Sequence, residues 1–407
     1  MVKQVSKSSS IEPNLKHAVT LVTKMMAIPG KSGQEMSIMN FITQKLRGAG
    51  LPASAIKYDR AHKRSHINGE VGNLIVKMPA GAGRRSVGAA RLLTAHVDTV
   101  PLCVGSKPTR RGRWIRSVDP STALGADNRS GAAALLSAAV TMLERKLPHP
   151  PATFAWLIQE EIGLIGAKNA SLRDLGRPRL AFNYDSGQPA NLIIAATGAY
   201  RIAIEVEGVA SHAGVHPELG VNAITIASMA IAQLQKDGFL GTIHKGQRTG
   251  TSNVGMVQGG EATNVVTPHV SLRAEVRSHN PRFRKTILNR FNGAFERAAK
   301  SVRNELGQAG KVRFESQLDY EAFRLGRREP CVVAAQRAVR SVLGKEPVLV
   351  AVDGGLDANW LTARGIPTVT IGAGQHGAHT VGETLNVTEF EQGCRIALRL
   401  ATGTEND

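Results

Sequence analysis

Residues 156 to 166 read WLIQEEIGLIG, with Glu160 and Glu161 side by side in an otherwise apolar run. Carboxylates are seldom buried unless paired or bound to a cation. Two of them at the end of what reads as a buried strand therefore need a chemical reason. Other residues share that placement. His96 and Asp98 follow the run RLLTA, Asp127 lies in LGADNRSG before a helix-forming stretch, Asp185 follows LAFNY, and His379 lies in GAGQHGAHTVGE after TVTIG. Histidines together with several carboxylates are a ligand set for zinc or a similar divalent ion. The carboxylates outnumber what one tetrahedral ion needs; two ions about 3.5–4 Å apart, sharing a carboxylate, would use the surplus. Such a pair lowers the pKa of a bound water towards about 7 and polarises a carbonyl. One carboxylate must then stay off the ions to take the proton. On this reading one glutamate of the pair ligates and its neighbour is the base, although the spacing does not say which is which.

Taken singly, each residue has a plainer reading. His96 alone is a structural histidine, Asp127 an N-cap, Asp185 the start of a turn, and His379 a loop histidine beside His376. The series decides, because each member follows a separate strand or opens a helix.

The elements that must position them are legible in outline. GNLIVKMP, ARLLTAHVD and TFAWLIQEE are short apolar runs of the length expected for buried strands. HAVTLVTKMMAI, SIMNFITQKLRGAG and SGAAALLSAAVTMLERK read as helices. Strands alternating with helices predict an α/β domain with a sheet flanked by helices, and ligands in such sheets sit beyond the carboxyl ends of the strands. From Thr197 the order changes to strand, helix, two strands, a long helix over FRKTILNRFNGAFERAAKSVRNEL and a last strand, the βαββαβ order of a ferredoxin-like α+β domain. Alternation returns with CVVAAQRAVRSVLG, EPVLVAV and IPTVTIGAG. The expected organisation is a catalytic domain in two parts, 1–196 and 326–407, interrupted by an inserted lid or dimerisation domain, 197–325.

Composition narrows the class. The 407 residues are 42% hydrophobic and 4% aromatic, so the core must be mostly Ala, Val, Leu and Ile. No apolar run reaches membrane-spanning length. MVKQVSKSSSIEPNLKH lacks the apolar segment of a secretory leader, and a cytoplasmic protein is expected. Cys103, Cys331 and Cys394 form no CxxC pair, so neither a disulfide framework nor a cysteine metal site is indicated. The net charge of +19 is scattered, with clusters such as KPTRRGRWIRS. Without zinc-finger or RNP-type motifs, it is read as surface character, with nucleic-acid binding the lesser alternative.

The motifs LLTAHVDTVP, LGADNRSGAAALL, LIQEEIGLIGA, NYDSGQP, SHAGVHPELGVNAI, GGEATNVVTP, GGLDANWLTARGIPT and HTVGE together resemble the di-zinc metallopeptidases that include peptidase T, carboxypeptidase G and the acetylornithine and succinyl-diaminopimelate deacylases. GADN and GGLDAN look most like the peptidase T-like branch. The resemblance implies a zinc-exopeptidase-like mixed sheet and two zinc ions per subunit, with Co2+ or Mn2+ as other possible metals. It implies His96, Asp127, Glu161, Asp185 and His379 as ligands, Asp127 bridging, Asp98 orienting His96, and Glu160 as the base. It further implies His212 as an oxyanion donor, reaching the site from the partner subunit of a homodimer in many relatives, and Asn264 and Arg277 as substrate-binding residues. Gly354, Gly355 and Asp357 match a loop near the site. Two features depart from relatives. Asn128 stands where an acidic residue is common, and KPTRRGRWIRS is unusually basic; either could alter substrate preference. The implied activity is hydrolysis of short peptides, most simply a tripeptide aminopeptidase, with N-acyl amino acid deacylation or carboxypeptidase action as alternatives.

Overall fold

The computed structural model describes residues 11–81 and 88–405, so the first ten residues, on which much of the expectation of no leader rests, lie outside it. Among the described residues no helix is long and apolar enough to cross a membrane. The chain divides into two units. One comprises residues 1–194, 324–351 and 356–407; the other comprises 195–323 and 352–355.

The larger unit is built on a mixed sheet. At its centre run Ala152–Leu157, Arg91–His96, Leu180–Tyr184 and Thr368–Ile371, all parallel to one another. Leu74–Met78 pairs antiparallel outside Ala152–Leu157. Every residue of the four central strands is buried. Continuous apolar runs suit strands covered on both faces.

One face carries the helix Ala126–Glu144, which packs on Arg91–His96 and between the helices Leu15–Ala27 and Val387–Thr402. Its run AAALLSAAV is buried all round, as expected of a helix with no polar face. Small residues let it approach closely: a Cβ on Gly131 would meet the Tyr184 carbonyl oxygen at 2.2 Å. Leu15–Ala27 is amphipathic, burying Ala18, Leu21, Val22, Met25 and Met26 at helical spacing. On the opposite face Ile75, Leu92, Ala155, Leu157 and Ala181 pack with Ala167, Leu175, Leu361 and Ile366. The expected sheet sandwiched by helices is what forms.

The smaller unit is an antiparallel sheet in the spatial order Gly241–Lys245, Arg248–Gly259, His269–Ser278, Gly198–Glu207, Lys311–Tyr320. The helices Ala223–Lys236 and Pro281–Ser301 supply Ile226, Ala230, Phe291 and Phe295 to its core, against Ile202, Ile204, Leu272 and Val276 of the strands. The βαββαβ series is present with one more strand than expected. Gly241–Lys245 is polar and mostly exposed, with Ile243 alone buried, so it carries no apolar run that would announce a strand.

The units divide two residues before each expected boundary, after 194 and after 323, and one segment changes sides. Val352–Gly355, assigned from sequence to the second catalytic part, groups with the smaller unit. Thr197 holds it there: its amide donates to the Val352 carbonyl at 3.2 Å and its hydroxyl to the Asp353 carbonyl at 2.8 Å.

Candidate metal centre

The parallel strands deliver the site. His96 is the last residue of Arg91–His96 and Asp98 lies two residues on; Glu160 and Glu161 follow Ala152–Leu157, and Asp185 follows Leu180–Tyr184. Asp127 lies at the start of Ala126–Glu144, where the backbone is not yet helical. The loop between the short strands Gln375–His376 and Thr384–Asn386 carries His379.

These side chains converge. His96 Nε2 lies 3.3 Å from Asp127 Oδ1, 3.7 Å from Asp185 Oδ1 and 4.0 Å from Glu160 Oε2. His379 Nε2 lies 2.8 Å from Glu161 Oε2 and 3.5 Å from Asp127 Oδ2. Asp127 thus faces one histidine with each oxygen. Two groups, His96–Asp127–Glu161 and His96–Glu160–Asp185, each bring three ligand atoms within 4.8 Å of one another. His376, by contrast, is engaged outside this set, with Nε2 2.5 Å from Glu389 and its ring edge-on to Trp114.

The electrostatics are those of a cation site. Asp127 Oδ1 and Glu161 Oε1 are buried and make no hydrogen bond. Burial pushes Glu160 well above the usual carboxylate range, against the pull of His96. Burial also lifts Glu161 to about 7, opposed by His379. Asp185 is raised by burial as well. Burial would raise Asp127 too, but His379 and His96 hold it well below the ordinary range. Asp127 and Glu161 push His379 up to about 10. For His96 burial acts downward, and the carboxylates around it, Glu160 first, outweigh that and raise it well above normal. Carboxylates packed this closely hold protons unless a cation displaces them. The unpartnered oxygens and the mixed nitrogen–oxygen donor set fit a divalent ion.

Supporting contacts position the donors. Asp98, fully buried, is 3.5 Å from His96 Nδ1 and accepts from the amides of Glu160 at 2.9 Å and Glu161 at 3.2 Å. An Asp98→Ala change would strand buried donors at about 1–3 kcal/mol each. Glu383 accepts from the amides of Gly125 at 2.6 Å and Asp127 at 2.8 Å, so one loop both carries His379 and fixes the Asp127 backbone. Gln375 Nε2 donates to Asp185 Oδ1 at 3.3 Å and is itself held by Ser130. Sequence reasoning named neither Glu383 nor Gln375, although both stand in the quoted GAGQHGAHTVGE. Asn128 is buried and its amide donates to the Tyr184 carbonyl at 2.6 Å, next to Asp185. An ionised acid could not make that bond, which gives the departure a structural reason. Asp357 opens the helix Asp357–Ala363, fully buried, with no hydrogen bond to either carboxylate oxygen. Burial pushes it up to about 8, with His96 opposing and the charges of Asp185 and Asp98 reinforcing.

The remaining candidates lie on the smaller unit. His212 and Asn264 are exposed neighbours, joined by a bond from the Ala213 amide to the Asn264 carbonyl at 2.9 Å. His212 Nδ1 accepts from the Gly214 amide at 3.2 Å. Arg277 has its fork on Glu275, at 2.9 and 3.0 Å, and reaches the Asp353 carbonyl at 3.4 Å. Gly355 is crowded, since a Cβ there would meet the Tyr320 ring at 2.5 Å, whereas one on Gly354 would meet nothing within 4 Å. Only the first therefore has a steric need for glycine. The basic stretch forms a hairpin, Pro108–Arg111 with Trp114–Ser117, whose second strand pairs with Thr384–Asn386.

Comparison with known proteins places this geometry among peptidases. Residues 194–303 match the model of the M20 peptidase dimerisation domain, and residues 73–218 match that of peptidase family M28. The chain is 34% identical over 298 residues to the uncharacterized protein YqjE of Bacillus subtilis, covering 73% of this chain and 76% of that one. The structure is similar to a tripeptidase from Staphylococcus aureus, with a TM-score of 0.85 at 29% identity over 97% of this chain and 100% of that one. It is also similar to the aminopeptidase PepT from Bacillus cereus, with a TM-score of 0.80 at 30% identity over 96% and 98% of the two chains.

Proposed function

The chain belongs to the M20 family of metallopeptidases, and on that footing we propose that it removes the N-terminal residue from short peptides, tripeptides foremost, using two zinc ions. The observation that carries this reading is the donor set around Asp127, whose two oxygens face His96 and His379 separately. His96 and Asp185 would hold one ion, Glu161 and His379 the other, and Asp127 both. When bound, such ions acidify water and polarise the scissile carbonyl.

Glu160 is the base. Glu161 is the member of the pair that lies against His379, which leaves Glu160, 4.0 Å from His96, free to exchange protons. It takes the proton of the attacking water and returns it to the leaving amine. Burial raises its affinity for that proton, which suits a group that must hold it between the two steps. Asp98 keeps Glu160 aimed through its backbone amide. His212 donates to the oxyanion from the partner subunit of a homodimer. Asn264, Arg277 and the Gly354–Gly355 loop contact the peptide. The match to a dimerisation domain supports the dimer, as does an open sheet edge. Gly241–Lys245 covers Arg248–Gly259 only as far as Ser252, and beyond it Met256 is 62% and Val257 58% exposed. A cytoplasmic location goes with this reading.

The test compares a free tripeptide with its N-acetylated form, with chelator and with zinc added back. Zinc-dependent release of the first residue from the free peptide alone is expected. Cleavage of only the acetylated form would make the protein a deacylase or a hydrolase of blocked peptides.

A further inference from the structure

Beyond Leu157 the strand carrying the two glutamates loses its sheet partner, and its amides turn to side chains. The Ile158 amide donates to Asn73 Oδ1 at 3.1 Å, Gln159 to Glu35 Oε1 at 3.1 Å, and Glu160 and Glu161 to the two oxygens of Asp98. Gln159 itself is left-handed, with φ +52°. Four successive amides therefore hang on three side chains, and the direction of Glu160 and Glu161 depends on where those side chains are fixed.

Two of the anchors trace to one short segment, GKSGQE, residues 30–35. Ser32 Oγ donates at 2.6 Å to Asp98 Oδ2, the oxygen that also accepts from Glu161. Glu35 is fully buried, and its Oε1 accepts from the Gly33 amide at 2.8 Å as well as from Gln159. The segment is tied to the loop that carries Asp98, because the Thr99 amide donates to the Gly30 carbonyl at 3.1 Å. Glu35 Oε2 makes no hydrogen bond. One oxygen therefore does all of the holding.

We propose that Glu35 and Ser32 are positioning residues for the base Glu160 and the ligand Glu161: Glu35 holds the Gln159 amide directly, and Ser32 holds Asp98. The inference rests on the reading of Glu160 and Glu161 given above. Because the role needs one acceptor oxygen and no charge, a glutamine at position 35 should serve.

The experiment measures Glu35→Ala, Glu35→Gln and Ser32→Ala against the unaltered protein. The readouts are kcat and KM on the tripeptide, metal affinity by calorimetry, and the visible absorption of the cobalt-loaded protein. Glu35→Ala should lower kcat by about 10- to 100-fold with KM nearly constant, and should shift the cobalt bands as Glu161 moves. Glu35→Gln should restore both, and Ser32→Ala should show a weaker form of the same changes. Wild-type kcat and cobalt spectrum in Glu35→Ala would overturn the proposal. So would a Glu35→Gln as impaired as Glu35→Ala, since charge would then be what matters. If Glu35→Ala does not fold, unchanged kcat and spectrum in Ser32→Ala overturn it instead. If the unaltered protein cuts no tripeptide, the assigned substrate fails while the cobalt spectrum still decides the positioning role.

Discussion

Apart from His379, whose side chain is half exposed, the two units present their candidate residues in opposite ways. In the larger unit, His96, Glu160 and Asp185 are buried, and Asp127 and Glu161 each bury an oxygen without a hydrogen bond. In the smaller unit, His212 and Asn264 are exposed and Arg277 already has a carboxylate in its fork. Burying ionised groups without partners is costly, so the first arrangement must take up protons or a cation. Solvent satisfies the second arrangement at little cost, so it demands nothing by itself. The contrast teaches where physical inference is strong: a site that would be unstable without its ligand declares itself, and one that water can fill does not.

The sharpest way to break the contrast is Glu160→Ala. Turnover should fall by about 10⁴-fold, at the upper end for a general base, while metal content measured by elemental analysis stays at the unaltered level. Near-normal turnover would remove Glu160 from the mechanism; loss of metal would make it a ligand. Next in size is His212→Ala, expected to cost about 10²- to 10³-fold in kcat as an oxyanion donor. Mixing Glu160→Ala with His212→Ala subunits should restore part of the activity if the histidine acts across a dimer, and no recovery despite demonstrated subunit exchange would place it in its own subunit. The smallest effect sharpens the first half of the contrast. His379 is held up to about 10 and Glu161 up to about 7, so metal binding near neutral pH must displace protons. Affinity should therefore rise with pH, by about tenfold per unit for each proton displaced, and weaken as pH falls below 7. Calorimetry in buffers of different ionisation enthalpy counts those protons; a pH-independent affinity would contradict the coupling.

The helix over AAALLSAAV was legible from its helix formers; that it is buried all round, with Gly131 against the Tyr184 carbonyl, came only with the structure. The extra strand Gly241–Lys245 was not legible, since an exposed polar edge bears no apolar periodicity. Glu35 and Glu383 were hidden in the same way. In SGQEM and TVGET they look like solvated loop acids, and their partners, the amides of Gln159 and Asp127, stand 124 and 256 residues away.

The sequence by itself determined the scaffold and pointed to the chemistry: which side chains carry ligand atoms, a reading in which two glutamates divide the roles of ligand and base, and strand ends in an α/β sheet that carry them. Those features are local, since each residue type sits beside its own apolar run. Only the tertiary structure decided which glutamate lies against His379, which oxygen of Asp127 faces which histidine, that Val352–Gly355 goes with the smaller unit, and that Glu35, Asp98 and Glu383 hold the backbone in place. A hydrogen bond to a distant amide leaves no periodicity in the chain; it exists only once the two segments have been brought within about 3 Å of each other.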